Sequence, residues 1–189
     1  MKKNIIIAGT PRAGKSTLSS LISKKYGYQH IAMDSIIEGF EDHFPELNID
    51  THKHSISHIS KRIAPFINAM IKSGEYDKFD YGLVIDVCQL MPEDYLKCID
   101  SNLCDIYYLV TECETVEERL NLLDAFDDEN EYTFYKSREK RTEICKDIID
   151  ESRRFREECE KFGLFCRDTS YQREDKFEEV LKLIEKSSY

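Results

Sequence analysis

The sequence predicts an α/β chain folded as a three-layer αβα sandwich with about five parallel strands. Three observations predict it. Short apolar runs alternate with longer segments of helical periodicity along the whole chain. Two of these runs, YGLVIDVC (81–88) and DIYYLVTE (105–112), are nearly unbroken, as strands covered on both faces are. The first run, KNIIIAG, meets a glycine and passes into a helical pattern within a few residues.

That first unit spans residues 3–26. After Gly9 comes GTPRAGKS, then a helix with Leu18, Leu21 and Ile22 on one face. The segment fits G-x-x-x-x-G-K-[ST] in the required context of strand before and helix after. Gly9 allows a sharp turn, and Gly14 allows the backbone to crowd a phosphate. Successive N–H groups then form an anion nest at a helix N-terminus. Lys15 adds a mobile charge for β- and γ-phosphates, and the Ser16 hydroxyl can ligate Mg²⁺. The candidate nucleotide-binding set is Gly9, Thr10, Pro11, Arg12, Ala13, Gly14, Lys15, Ser16 and Thr17. Thr17 also continues the helix, and Arg12 faces either phosphate or solvent.

Residue 34 follows the second strand, YQHIAMD (28–34). Ligands of parallel sheets bind beyond the carboxyl ends of the strands, so Asp34 is placed to meet a substrate as general base. The competing reading makes Asp34 a helix N-cap. A helix then carries Ile56, Ile59, Ile63, Phe66, Ile67, Met70 and Ile71. Pro65 kinks it or begins its second half, and Gly74 ends it. His54 and His58 stand four apart, but no carboxylate or cysteine completes a metal spacing. Solvated or substrate-facing histidines are the preferred reading, His43 and His52 included.

The third strand carries Asp86 near its end, the place for a second Mg²⁺ contact through a water or through Ser16. A capping or salt-bridged Asp86 is the alternative. Pro92 opens a short helix, and Thr115 with Glu118 has capping-box spacing. DDENEY (127–132) interrupts helical periodicity. A long charged helix runs over 133–162, with Arg138 and Arg141 among its cations. A fifth strand with a turn (163–170) and an amphipathic helix bearing Phe177, Val180, Leu181 and Ile184 close the chain.

The 189 residues suffice for one domain with one core. A net charge of -10 argues against nucleic acid, which needs a basic surface. Apolar runs are too short to span a membrane, and MKKNIII reads as a strand rather than a signal. Seven cysteines without a CxxC pair read as reduced thiols of a cytoplasmic protein.

Over essentially its whole length the chain resembles small-molecule kinases of the P-loop class, which includes adenylate, cytidylate, shikimate and gluconate kinases and chloramphenicol phosphotransferase. GTPRAGKSTL matches the phosphate loop, AMDSIIE the acidic segment, VIDVC the third strand, and IYYLVTECETVEERL the fourth strand and its helix. CRDTSYQREDKFEEVLKLI resembles the closing segment. The resemblance implies a P-loop NTPase fold with a small helical lid at about 125–141 and an acceptor-binding region at about 35–75. It implies Arg119 as a catalytic arginine, Arg138 or Arg141 as a lid arginine, and Asp168, Thr169, Ser170 and Tyr171 near adenine. The chain departs from its relatives in three places. Ile36, Ile37 and Glu38 stand where adenylate kinases carry a phosphate-gripping arginine. Ala32 replaces the first Asp of the shikimate kinase Asp-x-Asp, and Leu122, Leu123 and Asp124 stand where a second arginine follows Arg119. These departures argue against a nucleoside monophosphate or shikimate as acceptor.

The expected activity is ATP- and Mg²⁺-dependent phosphoryl transfer to a small hydroxyl- or phosphate-bearing acceptor, by a monomer or homodimer. A regulatory ATP-binding NTPase without an acceptor is the alternative; Asp34, which a switch does not need, separates the two. NLCD (102–105) is a poor match to a guanine-specificity motif.

Overall fold

The computed structural model describes residues 2–73, 81–129 and 131–187. Five strands form one parallel sheet in the order β2-β3-β1-β4-β5. They are β1 (Asn4–Gly9), β2 (Gln29–Ala32), β3 (Leu83–Val87), β4 (Cys104–Val110) and β5 (Cys166–Asp168). The helices are α1 (Lys15–Tyr26), α2 (Met33–His43), α3 (Ile56–Lys72), α4 (Pro92–Cys98), α5 (Val116–Phe126), α6 (Arg138–Phe162) and α7 (Arg173–Ser187).

Alternation in β1 builds two cores. Ile5 and Ile7 face α1 and α7, packing with Leu18, Ile22, Phe177, Val180 and Ile184. Ile6 and Ala8 face the other way, against Ile59, Ile63 and Ile67 of α3 and Phe155 of α6. With helices on both faces the central strands are buried at all but Asn4 and Asp105, which is why they read as nearly continuous apolar runs. A smaller cluster, Leu120, Leu123 and Cys145, joins α5 to α6.

Several boundaries differ from expectation. The second strand ends at Ala32, and the chain enters α2 at Met33 without an intervening loop. Asp34 therefore lies in the first helical turn rather than at a strand end. The N-cap position is Ala32 and there is no side-chain cap bond, so Asp34 is not the cap. Helix α3 is continuous through Pro65 and starts at Ile56, capped by Ser55. Pro65 lies on its exposed face, where water can satisfy the freed carbonyl. Gly74, the expected stop, lies outside the described residues. The charged helix starts at Arg138 instead of 133 because residues 131–136 form turns, closed by bonds such as Phe134 N–H to Glu131 O. The expected lid region thus comprises the end of α5, these turns and the first turn of α6. Among the described residues no helix is long and apolar enough to cross a membrane.

Candidate nucleotide-binding and phosphoryl-transfer site

The loop between β1 and α1 lies at the carboxyl edge of the sheet, with β1 at its centre. Gly9 adopts φ 125°, and a Cβ there would fall 1.8 Å from the Leu109 carbonyl oxygen of β4. Gly14 caps α1 at φ 87°, where a Cβ would come within 2.7 Å of the Phe177 ring. Both glycines are needed for close approach as well as for the turn. The first turn of α1 carries no acidic residue, so its positive end is not offset locally. Lys15 is buried and donates to the Thr10 carbonyl at 2.8 Å. Ser16 and Thr17 are exposed at the mouth.

A cavity of about 390 Å³ opens above this loop, a size suited to a small ligand. Pro11, Arg12, Gly14, Lys15, Ser16 and Thr17 border it on one side. Asp34, Cys88, Arg119, Phe126, Tyr132 and Arg173 border it on others. Arg119 is 1% exposed, and its Nε and Nη2 have no hydrogen-bond partner among the described residues. Burial pulls its guanidinium pKa down, and Arg173 and Arg12 add to the pull. A desolvated cation with unpartnered donors is costly unless an anion binds there. Arg173 is also partly buried, with Nη2 donating to the Arg12 carbonyl at 3.3 Å. Arg12 holds Asp127 at 2.5 Å and also pairs with Glu131, tying the phosphate loop to the turns after α5.

A second cavity of about 490 Å³ continues from the first. Pro11, Asp34, Cys88 and Tyr132 border both. Asp34 thus stands where the two meet. Its Oδ2 accepts from the Cys88 thiol at 3.8 Å. Burial pushes the Cys88 thiol up, with nearby Lys15 opposing the shift.

Other expected site residues sit elsewhere. Asp86 is buried and hydrogen-bonded to His30 Nε2 at 2.6 Å, and it does not border either cavity. Arg138 points outward to Glu117 at 2.9 Å, and Arg141 is held by Asp124 at 2.6 Å, so neither reaches the cavities. The Thr169 hydroxyl is spent on the Ala13 carbonyl and Ser170 Oγ on Asp168, while Tyr171 is exposed. None of these three borders either of these two cavities. Their segment braces the loop from behind. Sequence reasoning missed Arg173, Cys88 and Tyr132. Arg173 was readable only as the first residue of an ordinary amphipathic helix.

The same architecture is found in solved kinases. Shikimate kinase from Acinetobacter baumannii, in complex with shikimate, superimposes with a TM-score of 0.52 at 17% identity, covering 99% of this chain and 95% of that one. The chain has a P-loop kinase fold. Dephospho-CoA kinase from Campylobacter jejuni matches with a TM-score of 0.50 at 17% identity, covering 100% of this chain and 98% of that chain. The Bacillus subtilis YorR protein, in complex with phosphorylated GDP, matches at 0.50 and 16%, covering 96% of each chain. In sequence, adenylate kinase of Mycoplasmopsis pulmonis is 50% identical over 36 residues, 19% of this chain and 17% of that protein's length. No protein-family model matches the chain.

Proposed function

We propose that the protein is an ATP-dependent small-molecule kinase that transfers the γ-phosphoryl group to an acceptor hydroxyl. The observation that carries this reading is buried Arg119, its Nε and Nη2 unpartnered among the described residues, bordering the same cavity as Lys15 and Asp34. The arrangement fits a polyanion: nest, helix N-terminus, Lys15, Arg119 and Arg173 surround one space. Dephospho-CoA kinase and shikimate kinase, which share the fold, and adenylate kinase, which shares a short sequence stretch, are kinases.

In this mechanism Lys15 releases the Thr10 carbonyl to take a β- or γ-phosphate oxygen. Arg119 and Arg173 neutralise charge that spreads over the transferred group. Asp34 accepts the proton of the attacking hydroxyl. Mg²⁺, when bound, would offset charge on the phosphates. The exposed Ser16 hydroxyl would be the side chain to hold it, an oxygen donor of the kind Mg²⁺ takes together with water. Asp86 is already engaged by His30 and would contribute only by orienting such a water. Arg138 and Arg141 would join only after lid closure, by giving up Glu117 and Asp124.

The test is ADP formation from Mg-ATP over a panel of nucleosides, nucleotides, sugars, hydroxy acids and antibiotics. Acceptor-dependent turnover well above background supports the kinase reading. Tight ATP binding with only acceptor-independent hydrolysis across the panel supports a regulatory NTPase.

A further inference from the structure

The second cavity differs in charge from the first. Helix α2 contributes Asp34, Glu38 and Glu41 to its wall, spaced i, i+4 and i+7 and so sharing one face. Glu41 accepts the Thr51 N–H. Glu38 has no hydrogen bond or ion pair among the described residues. Gln89 Oε1, also in the wall and out of contact with solvent, lacks a donor. Among the described residues no lysine or arginine borders this cavity. Lys53, whose charge is felt by Glu41, is paired with Asp50 at 2.6 Å and does not border the cavity. Thr51, His52 and Tyr132 add to the polar lining. The first cavity carries Arg12, Lys15, Arg119 and Arg173. The site is therefore divided: lysine and arginines face the phosphate loop, and carboxylates line the α2 side.

We infer that the acceptor is a small polyol carrying at least one protonated amine, bound with its hydroxyl at Asp34 and its ammonium against Glu38 and Glu41. This rests on the kinase reading above and names its substrate class. An acceptor phosphate or carboxylate would meet carboxylates and an unpaired carbonyl oxygen with no lysine or arginine in the wall to receive it. At 1.5 Å rise per residue, Glu38 and Glu41 lie about 6 and 10 Å along α2 from Asp34, which sets the hydroxyl-to-amine distance. In the reaction the acceptor oxygen bonds to the γ-phosphorus and the bond to the bridging oxygen of ADP breaks. The hydroxyl proton passes to Asp34, leaving ADP and a phosphomonoester that keeps its amine.

Calorimetric titration of the full chain, loaded with Mg²⁺ and a non-hydrolysable ATP analogue, tests this with glucosamine, glucose, gluconate and the tetra-amine neamine. ATP turnover is measured on the same four compounds. The expected order is neamine, then glucosamine, with glucose and gluconate at least tenfold weaker. Glu38→Gln/Glu41→Gln is expected to weaken amine binding at least tenfold, and its nucleotide Kd reports on folding. Gluconate or glucose bound as well as glucosamine, amines that fail to bind, or double-variant amine binding within twofold of wild type would each overturn the inference. Phosphorylation of gluconate alone would leave the kinase reading standing while removing the cationic acceptor. Absence of nucleotide binding would remove both.

Discussion

The Thr169 hydroxyl donates to the Ala13 carbonyl at 2.8 Å and ties the segment after β5 to the middle of the phosphate loop. Both groups are fully buried. Thr169→Val keeps the shape and leaves the Ala13 oxygen without its donor, a cost of about 1–3 kcal/mol. Urea unfolding is expected to show that loss, and ATP affinity is expected to fall several-fold because the loop is less well held.

Arg119 gives a prediction with opposite signs. Arg119→Met removes a buried, unpartnered charge, so stability of the ligand-free protein is expected to stay within about 1 kcal/mol of wild type or to rise. ATP at about 100 times its Kd should stabilise the wild type by about 2.7 kcal/mol and the variant by far less. Thermal unfolding with and without Mg-ATP checks both halves. A variant that loses stability without ligand but keeps its ATP shift contradicts the assignment.

Arg167 of β5 grips Glu179 of α7 through two hydrogen bonds, at 2.8 and 2.5 Å. These hold the Glu179 carboxyl below its usual range. The folded pKa lies below the unfolded value of about 4.3. The stabilisation is therefore fully present above that value and is lost as pH falls through the folded one. Both side chains are more than a third exposed, so the pair is worth about 0.5 kcal/mol. Glu179→Gln should unfold at lower urea than wild type at pH 7, and the gap should close as pH falls through the folded pKa.

The sheet and the phosphate loop were legible because their signals are local: unbroken apolar runs and a fixed glycine–lysine spacing. The β2–α2 boundary was not, because no glycine or proline separates Ala32 from Met33, and Met33, buried in the helix, continues the strand pattern. His30 carried no sequence signal, since its bond to Asp86 arises only when β2 lies beside β3. Charge spacing on α6 could not say that Arg138 faces Glu117, which is a tertiary pairing across to α5. The acidic face of α2 was readable in principle: Glu38 and Glu41 repeat Asp34 at helical spacing, a pattern visible once Asp34 is placed in the helix.

The central claim is that Asp34, where the two cavities meet, takes the acceptor's proton. The direct measurement compares wild type with Asp34→Asn in two numbers, ATP Kd and acceptor-dependent kcat. ATP binding is expected to change by less than threefold, while kcat falls about 10²–10⁴-fold, the usual contribution of a general base. Full acceptor turnover by Asp34→Asn would contradict the account.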